Sequence, residues 1–402
     1  MNSEWKQVPL GNITKWSSGG TPSKNNSDYW NGTIPWITAK NMPECWLYDA
    51  EPKITELGLK AGSRLAPKNS VLMLVRGSGL YNHRYICIVK NPVAFNQDIK
   101  CIEATDKIQP EFLYYLLKGN DAKLLSLLES TGIGAGKFDV KRLQQMLVNI
   151  PPLSEQEKIV DILSAIDSKI QLNNKINENL EQQAQAIYKS WFVDFEPFNY
   201  AQPDDWLIGT INDLAAEIVC GKTPSTKKKE YYGNDVPFIT IPDMHRAVYV
   251  LNTSRSLSVR GAESQAKKTL PMNSVMVSCI GTPGLVALVS VPSQTNQQIN
   301  SIIPKEGISS FYIYLLMQTM SETINKLGQG GSTIVNLNKT QFGKINVLIP
   351  SVLVMKDFDS IVSPLFAMIL SNQKENKRLA ELRDTLLPRL ISGEIDVKDV
   401  QI

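Results

Sequence analysis

The densest chemistry in this chain is a run of cations and hydroxyls. Gly221-Lys222-Thr223-Pro224-Ser225-Thr226-Lys227-Lys228-Lys229 carries four ammonium groups on a polar turn, and Tyr231-Tyr232 follows closely. Ammonium groups, hydroxyls and the bare N–H groups that glycine exposes are the donors that hold phosphate oxygens. A milder version stands earlier, at Ser17-Ser18-Gly19-Gly20-Thr21-Pro22-Ser23-Lys24. Candidate phosphate contacts are thus Thr21, Ser23 and Lys24, and Lys222, Thr223, Ser225, Lys227, Lys228 and Lys229; a solvated turn has the same composition. Arg76-Gly77-Ser78-Gly79 and His83-Arg84 put bidentate donors on a flexible loop, so Arg76, Ser78 and Arg84 are candidates for reading guanine edges. Two glycine-rich loops, Thr131–Lys137 and Gly328–Thr333, add Lys137, Ser332 and Thr333 as residues that could lie along a DNA backbone or simply close a module.

Other chemistries lack their raw material. Neither glycine-rich loop fits G-x-x-x-x-G-K-[ST] or a strand-to-helix G-x-G-x-x-G, which argues against nucleotide binding and ATP-driven translocation. The two histidines, His83 and His245, and five scattered cysteines offer no zinc-ligand spacing and no triad, so no metal or other cofactor is expected. An adenine N6-methyltransferase needs an acidic-or-amide-Pro-Pro-aromatic tetrapeptide; Asn91-Pro92-Val93-Ala94-Phe95 breaks it. No Asp…Glu-x-Lys cluster suggests a magnesium nuclease. The cysteines read as free thiols of a reducing cytoplasm. No run of 18 apolar residues and no signal-like start supports membrane spanning or secretion, so a cytoplasmic protein is expected.

The elements that must position these loops are written twice. Tyr29-Trp30-Asn31-Gly32-Thr33-Ile34-Pro35-Trp36-Ile37-Thr38 aligns with Tyr231-Tyr232-Gly233-Asn234-Asp235-Val236-Pro237-Phe238-Ile239-Thr240. Asn69-Ser70-Val71 aligns with Asn273-Ser274-Val275, Asn96-Gln97 with Asn296-Gln297, and Tyr115-Leu116-Leu117 with Tyr314-Leu315-Leu316. The offset stays between about 199 and 204, the drift expected of short loop insertions between two copies of one unit. Each copy begins with β-rich runs such as Ser70–Val75 and Tyr85–Lys90, broken by Gly, Pro and Asn. Each ends in a long helical pattern, from about Glu155 to Phe195 and from about Lys356 to Leu390, the second with an isolated break expected at Pro364.

Those helices share a seam. Ile159, Leu163, Ile166, Ile170, Asn173, Asn177, Leu180, Ala184 and Ile187 follow a 4-3-4-3 spacing, matched by Phe358, Val362, Leu365, Ile369, Asn372, Asn376, Leu379, Arg383 and Leu386. A sustained apolar repeat of 3.5 residues wants a facing helix and argues for a coiled-coil pair. Asn173, Asn177, Asn372 and Asn376 would set its register, because a slipped pairing would strand their amides against apolar side chains. Charge is sorted to match. Residues 1–152 hold 18 Lys+Arg against 13 Asp+Glu and residues 199–351 hold 13 against 10, whereas 153–198 hold 4 against 8 and 352–402 hold 7 against 8. Positive modules on neutral-to-negative rods make the modules the DNA-facing parts.

At this point the residues resemble a family. The duplicated Gly-x-Thr-Pro-Ser…Tyr-Trp/Tyr…Ile/Val-Pro-Trp/Phe-Ile-Thr module is similar to the target recognition domain of type I restriction-modification specificity subunits. So are Pro151-Pro152-Leu153-Ser154-Glu155-Gln156-Glu157-Lys158-Ile159-Val160, Ser190-Trp191-Phe192-Val193-Asp194-Phe195 and Leu386-Leu387-Pro388-Arg389-Leu390-Ile391-Ser392-Gly393-Glu394-Ile395. The order along the chain is the family's order. The second copy departs from it, reading Pro350-Ser351-Val352-Leu353-Val354-Met355-Lys356 where Pro-Pro-Leu-Ser-Glu-Gln-Glu is expected, which weakens the expected helix start there.

The resemblance implies an α/β (α+β) fold of two similar globular recognition domains, residues 1–152 and 199–351, separated by two long antiparallel coiled-coil helices at 153–198 and 352–402. It implies a non-catalytic subunit that binds double-stranded DNA, each domain reading one half of a split asymmetric target while the helices set the spacer. It implies two methyltransferase (modification) subunits and restriction subunits as partners, with Trp191 and Phe192 as candidate docking residues; the same pair could simply cap the coiled coil. The alternative is a coiled-coil interaction scaffold with no DNA contact.

Overall fold

A computed structural model of the chain describes residues 5–43, 45–132, 134–328 and 337–400. The chain divides into two compact units: one takes everything up to Ile170 together with everything from Arg378 on, and the other is Gln171–Lys377. The division therefore falls inside both long helices, Leu153–Phe192 and Val352–Ser392.

In the first unit a five-stranded sheet runs Thr14–Ser18, Ile99–Ala104, Val71–Leu74, Ile86–Val89, Trp46–Leu47 from edge to edge. Its inner strands Val71–Leu74 and Ile86–Val89 are buried at every position, which is why they read as unbroken apolar runs rather than as alternating ones. Helix Pro110–Gly119 covers the sheet and sinks Phe112, Leu113, Leu116 and Leu117 into the same core. A smaller sheet joins Lys53–Ile54, Trp30–Ile37, Val93–Phe95 and Leu65–Ala66. The antiparallel ribbon of Lys6–Pro9 with Leu147–Ile150 ties the module's opening strand to the residues just before the long helix.

The second unit repeats this plan. Its five strands run Ala215–Cys220, Ile299–Pro304, Val275–Ser278, Val286–Val289, Tyr249–Val250, with the same order and the same parallel pairing at the far edge. Ribbon Leu207–Thr210 with Asn346–Ile349 and covering helix Ser310–Thr319 are likewise repeated. The internal duplication is thus a duplication of topology.

The long helices pair antiparallel within each unit, and the two pairings differ in chemistry. In the second unit Asn173 Nδ2 donates to Asn376 Oδ1 at 2.9 Å and to Glu375 Oε2 at 2.8 Å, and Asn372 Nδ2 donates to Asn177 Oδ1 at 2.9 Å. Rising numbers on one helix meet falling numbers on the other. All four seam asparagines are in contact across the pair, and beyond them Leu180, Ala184, Phe358, Val362 and Phe366 share one buried core. In the first unit the seam is charged: Arg383 Nη1 donates to Asp167 Oδ1 at 2.8 Å. Asp167 is 3% exposed and also accepts from Tyr115 Oη at 2.8 Å and from Cys45 Sγ at 3.6 Å. Burial first, and then the charge of Asp167, push the Cys45 thiol up to about 12.

Two helix expectations are corrected. Val352–Ser392 is continuous through Pro364, which lies exposed, where water can satisfy the carbonyl that a helical proline leaves without its partner. The second helix also starts at Val352 without the Pro-Pro-Leu-Ser-Glu-Gln-Glu signal. In the first copy Gln156 is fully buried and bonds the backbone at Gln109, Lys107 and Pro151. Its counterpart 199 positions later is Met355, fully buried in the second core, so packing replaces the hydrogen-bonded start.

Asp167→Ala leaves the half-buried Arg383 guanidinium without its main partner and should lower unfolding stability by about 3 kcal/mol. Asp167→Ala with Arg383→Met should recover most of that loss. Urea unfolding of both variants checks this; an equal loss in the two would show that the lost volume matters and the charge does not.

Candidate nucleic-acid interface

The candidate loops of each module converge on one short turn. In the first module that turn is Phe95-Asn96-Gln97-Asp98, held by Asn96 Oδ1 accepting from Asp98 N at 3.1 Å and by Asn96 N donating to Ile37 O at 3.0 Å. The Gly-Thr-Pro-Ser loop docks on it: Gly20 N donates to Phe95 O at 2.9 Å, and Thr21 Oγ1 donates to Gln97 Oε1 at 2.6 Å. Gly19 is required here, because a Cβ on it would stand 2.0 Å from the Phe95 carbonyl oxygen. The loop's own carbonyl at Gly20 is satisfied by Trp36 Nε1 at 3.1 Å, and Trp30 Nε1 holds the Ser23 carbonyl at 3.1 Å.

From the other side Val75 N donates to Asp98 O at 2.8 Å, and Phe138 N donates to Val75 O at 2.9 Å. These two bonds bring in the strands Arg76–Gly77 and Gly136–Phe138, which pair with Arg76 directly opposite Lys137. Both side chains are exposed. Like charges facing each other across a ladder repel, so an anion between them would relieve a cost already present in the free protein. The structure therefore brings Thr21, Ser23, Lys24, Arg76 and Lys137 onto loops around one turn, with Ser78 next along, at the start of the 3-10 turn Ser78–Tyr81.

The second module builds the same junction with different side chains. Lys222 N donates to Thr295 O at 2.9 Å, Thr223 Oγ1 to Gln297 Oε1 at 2.7 Å, and Gln298 N to Asn296 Oδ1 at 3.1 Å. Gly221 is as confined as Gly19, since a Cβ would lie 2.1 Å from the Asn296 carbonyl oxygen. The Lys222 carbonyl is satisfied by Gln265 Nε2 at 2.8 Å, where the first module uses Trp36. Cys279 N donates to Gln298 O at 2.8 Å, repeating the Val75–Asp98 bond. Lys222, Ser225, Lys227, Lys228 and Lys229 are all exposed on this loop. The ammonium of Lys228 sits 4.9 Å from the Tyr231 ring centroid and donates to Tyr231 Oη at 3.0 Å, a bond that raises its pKa. Ser332 and Thr333 lie outside the described residues.

Two candidates are placed away from the junction. The Arg84 guanidinium grips Asp121 through Nε and Nη2, both at 2.5 Å, and lines a cleft with Lys118, Arg383 and Asp384. Phe192 is 5% exposed inside an aromatic cluster with Tyr188, Trp206, Tyr312 and Phe358. Trp191 is half-buried beside it, edge-on to Phe198.

Residues not singled out from the sequence also lie here. Lys100 stands opposite Ser18 in the sheet, with its ammonium on the Ser18 hydroxyl, and burial lowers its pKa. Gln97 and Gln297 sit at the centre of both junctions; their recurrence with Asn96 and Asn296 was the sequence signal that could have marked them. Among the described residues no cluster of His, Cys, Asp and Glu could hold a metal, and no helix is long and apolar enough to cross a membrane.

Comparison with known proteins was made against this geometry. A family model described as type I restriction modification DNA specificity domain matches residues 2–182 and again residues 203–382. The type I restriction enzyme HindI specificity subunit of Haemophilus influenzae is 38% identical over 360 residues, covering 72% of this chain and 78% of that protein. The MjaIX specificity subunit of Methanocaldococcus jannaschii is 27% identical over 416 residues, covering 99% of this chain and 95% of its own. In fold, the chain is similar to the crystal structure of a type I restriction-modification S subunit from M. genitalium, with a TM-score of 0.62, 14% identity and 97% of each chain covered.

Replacing Lys227, Lys228 and Lys229 together by Ala should weaken binding to all duplex sequences alike and flatten the dependence of log affinity on log salt by up to about three times 0.9, one unit of slope for each phosphate released. Titrations at several salt concentrations measure that slope; an unchanged slope removes this loop from the interface.

Proposed function

The chain belongs to the type I restriction-modification DNA specificity family, and on that premise we propose how its parts divide the work. It is a DNA sequence-specificity subunit of such a system. Residues 1–152 and 199–351 are its two target recognition domains, and each reads one half of a bipartite asymmetric target. The helical stretches 153–198 and 352–402 set the spacer between the halves, with Asn173, Asn177, Asn372 and Asn376 holding their register. Catalysis belongs to the partners: two methyltransferase subunits, which the Trp191–Phe192 end of the first helix helps to dock, and restriction subunits. The half-buried Trp191 offers the surface in that docking, and Phe192 anchors it from the core.

One observation carries this reading. The same loop-on-turn junction is built twice, with glycine, threonine and glutamine retained, while the side chains around it differ. Thr21, Ser23, Lys24, Arg76, Ser78 and Lys137 serve the first half-site, and Arg84 supports their loop through Asp121. Lys222, Thr223, Ser225, Lys227, Lys228 and Lys229, with Ser332 and Thr333, serve the second. Arginine at 76 where the second copy has Ile280 means that the two halves read different sequences.

Co-expression with the methyltransferase encoded beside it, followed by mapping of methylated adenines, tests the whole reading. The expected result is a stable complex and one split motif, modified once on each strand. A chain that forms no complex, directs no methylation and binds no duplex would be an interaction scaffold instead.

A further inference from the structure

We propose that Gln97 and Gln297 are twin phosphate-holding donors, one in each recognition module, that grip the DNA backbone in the same way whatever sequence the module reads. The proposal rests on the DNA-specificity reading above.

Each glutamine is exposed at the tip of a turn whose preceding residue is buried: Asn96 is 8% and Asn296 is 9% exposed. An exposed polar side chain ordinarily spreads over several rotamers, but these two are tied down. Thr21 Oγ1 donates to Gln97 Oε1 at 2.6 Å and Thr223 Oγ1 to Gln297 Oε1 at 2.7 Å. With the carbonyl turned to threonine, the amide nitrogen and its two N–H donors face away from the loop. The backbone beneath cannot yield easily, because Gly19 and Gly221 approach the turn so closely that no Cβ fits.

Repetition identifies the ligand. The neighbours of the two glutamines diverge: Asp98 against Gln298, Lys100 against Asn300, Arg76 against Ile280. Side chains that differ suit the parts of two half-sites that differ, their bases. A group kept in identical geometry in both modules suits what the half-sites share, the sugar-phosphate backbone, and contacts there position a protein without reading sequence. A neutral amide has a further signature. It adds affinity by hydrogen bonding to a charged oxygen but displaces no counterion, so it leaves the salt slope untouched where lysines do not.

The test uses the full chain, a duplex of mixed sequence, titrations at several salt concentrations and a thermal melt of each variant. Gln97→Ala and Gln297→Ala should each weaken binding about tenfold, the loss of about 1.4 kcal/mol, with salt slope and sequence preference unchanged. Gln97→Glu turns an anionic oxygen toward the backbone and should bind more weakly still. Thr21→Val and Thr223→Val separate contact from mere bracing: they should reproduce any loss in melting temperature but retain most of the affinity. Wild-type affinity in the alanine or glutamate variants overturns the proposal, and so does an equal affinity loss in the valine and alanine variants. A wild-type chain that binds no duplex at all overturns the specificity reading as well, which keeps the two failures apart.

Discussion

Covering the buried stripe of two long helices is the constraint on which this molecule depends. Neither helix could stand alone in water with Ile159, Leu163, Leu180, Phe358, Val362 and Ile369 exposed, and each is covered by the other and by the module beside it. The antiparallel pairing brings Asp167 to Arg383 in one unit and places the pairs Asn173–Asn376 and Asn177–Asn372 in the other. Phe366 stands 199 positions after Asp167, and Ala184 stands 199 before Arg383. The same layer of the repeat is therefore ionic in one unit and apolar in the other. A buried ion pair contributes little net stability, because desolvation offsets most of the attraction, but a mismatched pairing would leave a carboxylate or guanidinium against Phe366 or Ala184. Chemistry of this kind selects one pairing out of the several that a duplicated sequence could form.

On this support each module presents a rigid sheet and spends its variation on loops. The five-stranded sheets share one strand order, and the loop-on-turn junctions share their glycine, threonine and glutamine. Substitutions between the copies preserve function by different chemistry: the loop carbonyl is satisfied by an indole from Trp36 in one and by an amide from Gln265 in the other. The backbone's need for a donor is constant, and which side chain meets it is free. Freedom of that kind lets duplicated recognition modules diverge in what they read while keeping how they stand.

Charge follows the same division. Arg76 and Lys137 face one another on an exposed ladder with no carboxylate paired across from either, whereas Arg84, equally cationic in sequence, is already neutralised by Asp121. Formal charge along a chain therefore overstates the cations available to an anionic partner. Availability depends on which ammonium or guanidinium groups the fold has already satisfied.

Much of this was written in the residue order. The duplication, the two long helices, their 3.5-residue seam with asparagines at matching places, and the positive modules all follow from spacing and composition, because helix periodicity and repeat offset are local properties of a chain. The continuity of the second helix through Pro364 did not follow, since whether a proline breaks a helix depends on where its face lies. Nor did the burial of Phe192 or the capture of Arg84 by Asp121, which come from elements distant in sequence. The glutamines are the sharpest case. Their recurrence with Asn96 and Asn296 was visible, but an amide gains a direction only when a hydroxyl some 75 residues away reaches its carbonyl, and folding alone brings Thr21 to Gln97 and Thr223 to Gln297.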